Sequence, residues 1–120
     1  MNPDELKERT KQFALRTMKL ADSLPKTPSG RVVAMQLASC GTSVGANYRA
    51  ACRGRSKAEF VAKLGIVVEE ADESVYWIEL ASEGKLVAAK LVGPLLTEAK
   101  ELTAIFTASR KTATANRMSL

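Results

Sequence analysis

The chain has no histidine and only two cysteines, Cys40 and Cys52. The missing imidazole removes the commonest acid/base group and metal ligand. Two cysteines cannot make a zinc site without a second chain. They lie twelve positions apart on one expected helix, about 18 Å at 1.5 Å per residue, so they cannot pair within the chain. No metal, cofactor or catalytic residue is expected. No apolar run approaches the roughly 20 residues of a membrane-spanning helix. The start, Met1-Asn2-Pro3-Asp4-Glu5, is acidic and lacks the apolar core of a signal peptide, so the cytoplasm is the expected location and no membrane is a partner. Strand-like alternation, internal repeats and low-complexity stretches are also absent, apart from a mildly Thr/Ala-rich tail.

What is present is helical periodicity over 120 residues, enough for one domain with a real core. Leu6, Phe13, Leu20 and Leu24 mark a first helix between Pro3 and Pro25, which ends because proline cannot continue the ladder. A second, from about Ser29 to Cys52, carries the stripe Val33, Leu37, Cys40, Val44, Asn47, Ala51. Beside it runs a stripe of small residues: Ala34, Ala38, Gly41 and Gly45. Interior glycines cost about 1 kcal/mol each relative to alanine, so these two point to a close backbone approach.

Ser56 with Glu59 reads as a capping box, the serine accepting from an early amide and the carboxylate reaching back to the cap amide. A third helix then runs to about Ser82 with Phe60, Leu64, Val67, Ala71, Ser74, Ile78 and Ala81 on one face. Glu83-Gly84 ends it, with the glycine expected in the left-handed conformation. A fourth helix, about Val87 to Arg110, carries Leu91, Val92, Leu95, Leu96, Ala99, Leu102, Ile105 and Phe106. At Gly93-Pro94 it is either kinked or properly begins. The expectation is an all-α, antiparallel up-down-up-down four-helix bundle over 1–110. The basic tail 111–120 lacks an apolar stripe and is expected to be frayed or disordered.

Charge is segregated along the chain. Residues 1–63 hold 12 Lys/Arg against 5 Asp/Glu, residues 64–83 hold none against 6, and residues 84–120 hold 6 against 2, for a net +5. Glu69, Glu70, Asp72, Glu73, Glu79 and Glu83 lack the histidines of a helical-bundle metal site and read as a solvated or ion-paired face. Arg49, Arg53, Arg55, Lys57 and Lys63 crowd the turn between helices two and three. Arginine forks suit phosphate, and Lys57 defies the usual preference for acids in a first helical turn. These five are the candidate nucleic-acid-binding residues. The alternative is that the arginines pair with acids of neighbouring subunits in a protein-binding scaffold or adaptor. Asn47, on the apolar stripe, should be buried and locked to a polar partner such as Glu73 or the end of helix two. Tyr48, Tyr76 and Trp77 read as core or interface aromatics before base-stacking ones.

Ser43-Val44-x-x-Asn47, Arg55-Ser56-x-x-Glu59-Phe60, Leu64 and Glu73 resemble a bacterial four-helix-bundle family that includes proteins encoded in intervening sequences of large-subunit ribosomal RNA genes. That family is structurally related to the accessory variability protein of diversity-generating retroelements. The likeness covers about residues 8 to 110. Where the family commonly has Asn-Ile-Ala-Glu-Gly, this chain has Asn47-Tyr48-Arg49-Ala50-Ala51, losing a carboxylate and a glycine. The resemblance implies the same bundle, a ring-shaped assembly of five subunits, and a non-enzymatic protein with basic surfaces. The retroelement relative binds RNA and a reverse transcriptase, so RNA or DNA, a protein partner and further copies of the chain are the implied partners.

Overall fold

The computed structural model describes the backbone of residues 1–118 and the side chains of residues 1–115. Four helices follow one another: α1 Pro3–Ser23, α2 Pro28–Cys52, α3 Lys57–Glu83 and α4 Ala89–Met118. Each packs on the next, giving a rod 52 × 21 × 21 Å. The short connections force the antiparallel, up-down order expected from sequence. The seam between α1 and α4 is the thinnest. Arg9 closes it, its guanidinium forking onto Glu98 at 2.6 and 2.7 Å and reaching Glu101 at 2.7 Å.

Helix starts follow local chemistry. Asn2 and Glu5 form a reciprocal capping box for α1, and Thr27 caps α2 ahead of Pro28 at its first position. Phe13, Leu37, Leu64, Ile78, Leu102 and Phe106 fill the core, all essentially inaccessible. Each such side chain contributes about 1.5–3 kcal/mol by burial.

The small-residue stripe of α2 faces α1 closely. A Cβ on Gly41 would stand 2.3 Å from the Thr17 hydroxyl, and one on Gly45 would stand 3.0 Å from that of Thr10. Both threonines are fully buried, their hydroxyls donating back to Ala14 and Leu6 carbonyls at 2.8 Å. Two buried polar groups are thereby satisfied within their own helix, and the Thr17 methyl lies over Gly41.

Several sequence expectations are corrected. Asn47 is half-exposed and donates to the Ser43 carbonyl of its own helix at 2.9 Å, so it is no interhelical lock. The neighbouring Tyr48 takes the core position and packs on Phe106 at 5.1 Å between centroids. Glu73 instead accepts from the Trp77 indole at 3.1 Å. Phe60 is half-buried, and Val61 faces the core in its place.

At the end of α3 the left-handed residue is Lys85 (φ 59°), not Gly84. Leu86 N–H donates to Ala81 O and Lys85 N–H to Ser82 O, the paired bonds of a Schellman turn one residue later than expected. The helix α4 runs through Pro94 from Ala89, resolving the alternatives at that point. Proline clashes with the Cβ of a preceding helical residue, and Gly93 has none. Helix α4 runs past Arg110 to Met118, eight residues beyond the end expected from the apolar stripe; Ser119 and Leu120 lie outside the described residues. Arg110 anchors this extension, donating to the Val61 carbonyl with its guanidinium over Gly65.

Candidate nucleic-acid interface

The turn joining α2 to α3 is held by its own backbone. Arg53 N–H donates to the carbonyls of Arg49 and Ala50, and Gly54 N–H to that of Ala51 at 3.0 Å. A Cβ on Gly54 would sit 3.0 Å from the Ala51 oxygen and 3.3 Å from Phe60 N, so only glycine passes without displacement. Ser56, in extended conformation, accepts from Glu59 N–H at 3.1 Å. The Glu59 carboxylate accepts from the Arg55 amide and not from the Ser56 amide, so the box closes one residue earlier than the sequence suggested. Glu59 is thus the acid that braces the corner.

Arg49, Arg53, Arg55, Lys57 and Lys63 are all exposed. Two shallow depressions organise some of them. One, between α1 and α2, is lined by Lys7, Lys11, Thr42, Gly45 and Arg49 among others. The second, at the bundle end, is lined by Lys7, Cys52, Arg55, Ser56, Lys57 and Phe60 among others. Lys7 belongs to both, so the two join into one surface. The structure therefore brings together Arg49, Arg55 and Lys57, adds Lys7 and Lys11, and leaves Arg53 and Lys63 outside either depression. The two lysines of α1 were missed because their place depends on how α1 seats against α2, which Gly41 and Gly45 set. Their one sequence signal was position on the polar face of α1 at four-residue spacing.

Among the described residues the ion pairs are those of Arg9 with Glu98 and Glu101. The five cations of the joined surface have no such partner there. The remaining polar chemistry is structural. The two thiols are free; burial pushes the Cys40 thiol up from its ordinary value, beside Ser74 Oγ at 3.3 Å. Burial also raises the Tyr48 phenol, with Cys52 and the charge of Asp4 as further causes. Among the described residues no group of three or more His, Cys, Asp or Glu could hold a metal ion, and no helix is long and apolar enough to cross a membrane.

Four sequential helices, threonines seated on glycines and a cationic end define a helical-bundle protein whose distinctive chemistry is surface charge. The chain belongs to the 23S rRNA-intervening sequence protein family, whose profile matches residues 5–108. A solved structure of a protein with unknown function from the S23 ribosomal protein family of Bacteroides thetaiotaomicron is similar to it. The two are 29% identical, with a TM-score of 0.84 over 92% of this chain and 99% of that one. No curated protein matches the chain.

Proposed function

We propose that this protein is a non-catalytic homo-oligomer that binds nucleic acid, RNA in the first place, weakly and without reading sequence, through its basic end. The observation that carries this reading is the joined surface of Lys7, Lys11, Arg49, Arg55 and Lys57, half-buried at Lys7 and exposed at the other four, and outside the ion pairs of the described residues. Lysine and arginine neutralise phosphates and release counterions, a term that is independent of base identity. RNA is put ahead of DNA on the resemblance to the RNA-binding retroelement relative; the family's name refers to intervening sequences of ribosomal RNA. Five copies in a ring, as the resemblance implies, would convert five modest patches into useful avidity. An accessory role to RNA or reverse-transcription machinery in the cytoplasm fits such a surface.

The test replaces Arg53, Arg55 and Lys57 together, with a second variant replacing Lys7, Lys11 and Arg49. Both sets are surface residues, so the far-ultraviolet circular dichroism should match that of the parent. The first variant should lose about two cations' worth of affinity, because Arg53 lines neither depression. The second should lose three. Equal RNA affinity in the parent and both variants at low salt would reject the surface as the binding site.

A further inference from the structure

We propose that the open stretch of the α1–α4 seam is a docking groove for an acidic amphipathic helix of another protein. This surface is separate from the cationic one, which lies toward the other end of α1. Arg9 closes the middle of the seam through Glu98 and Glu101. Two turns further along α1 the seam opens into a shallow depression of about 300 Å³, lined by Arg16, Lys19, Leu20, Leu91, Val92 and Leu95 among others. Leu20, Val92 and Leu95 belong to the core, so their outer edges give the depression an apolar floor. Leu91 stands 69% exposed on the α4 rim, and Leu15, 49% exposed, sits one turn before Lys19 on α1. Covering these leucines removes apolar surface from water, which is the driving force for a partner.

Charge selects which partner. The charged groups lining the depression are Arg16 and Lys19, both exposed, and neither has an ion-pair partner among the described residues. Asp22 does not line it, and Glu98 is tied to Arg9. An apolar floor with two free cations on one bank fits a helix whose apolar stripe is flanked by Asp or Glu. A phosphate strand would leave the floor wet, and a basic helix would set cation on cation. From Arg16 to Ser23 the groove follows about 10 Å of α1 at 1.5 Å per residue, which gives room for about two turns of a docked helix. Its anchors would fall at i, i+4 and i+7.

The test selects binders to the full chain from a displayed library of helical peptides. The strongest is then labelled and titrated against the parent and two variants, Leu91→Glu and the pair Arg16→Glu with Lys19→Glu. All three positions are exposed, so circular dichroism should match the parent. Selected peptides should carry apolar residues at i, i+4 and i+7 flanked by Asp or Glu, and each variant should weaken the titrated peptide about tenfold or more. No enrichment, enrichment of basic peptides, or equal affinity in the parent and both folded variants overturns the proposal. So does a light-scattering mass that falls on Leu91→Glu, which makes a second copy the occupant. An RNA affinity that falls as far on reversal of Arg16 and Lys19 as on replacement of Lys7, Lys11 and Arg49 makes the occupant RNA, and overturns it too.

Discussion

Replacing Gly41 by alanine tests the α1–α2 packing that aligns Lys7 and Lys11 with Arg49. On an isolated helix the change would stabilise by about 1 kcal/mol, because alanine loses less backbone freedom. In the bundle the new Cβ would fall 2.3 Å from Thr17 Oγ1, 2.6 Å from its Cβ and 2.7 Å from its Cγ2. The threonine has little room to yield. It is fully buried, and its hydroxyl is tied to the Ala14 carbonyl at 2.8 Å. Overpacking of this kind costs about 1–3 kcal/mol and here sits at the upper end, since Thr17 is struck at three atoms. The net loss should be about 1–2 kcal/mol after the propensity gain. That lowers the urea midpoint by roughly 0.5–1 M at the m-value of a small domain. Gly45→Ala meets Thr10 at 3.0 and 3.2 Å and should cost less, close to nothing once propensity is counted. A raised midpoint for Gly41→Ala, or a larger loss for Gly45→Ala, would refute the argument that these glycines are required by the approach of α1.

Lys85→Gly should raise stability by about 1 kcal/mol, read as a shift of thermal midpoint, since a left-handed residue with a Cβ is strained and glycine is not. Arg9→Ala should cost about 1 kcal/mol, with most of the difference from the parent lost in high salt, because the fork to Glu98 and Glu101 is only partly screened from water. Burial, then Glu73 and Glu69, raises the Glu70 carboxyl above its ordinary value. The folded state therefore holds that proton more tightly than the unfolded state. Stability from this group falls as pH rises from the ordinary glutamate range through the raised one, and Glu70→Gln should flatten that part of the urea midpoint against pH.

The bundle was legible in the sequence because prolines, caps and three- and four-residue apolar spacing mark every helix, and the helix ends fall within a few residues of those expected except the last, where α4 runs on to Met118. Errors came where neighbouring positions compete. Asn47 and Tyr48 both lie near the edge of the α2 stripe, and the larger apolar body of tyrosine takes the core while asparagine is satisfied by Ser43. Gly84 drew the left-handed role by residue type, but the bonds from Lys85 and Leu86 place that turn one residue on. The tail lacked an apolar stripe, yet the Arg110 bond to Val61 comes from another helix and periodicity cannot register it. The basic corner was visible as composition between Arg49 and Lys57. Its continuation through Lys7 and Lys11 was not, because only packing brings α1 beside it.

The salt dependence of RNA binding tests the central claim most directly. If Lys7, Lys11, Arg49, Arg55 and Lys57 contact phosphates of a single strand, log K against log salt should fall with a slope of about −3.5 per subunit engaged, at about −0.7 per neutralised phosphate. The Lys7, Lys11 and Arg49 variant should cut that slope by about 2. A salt-independent affinity, or a slope unchanged by the variant, would contradict an interface built on those side chains.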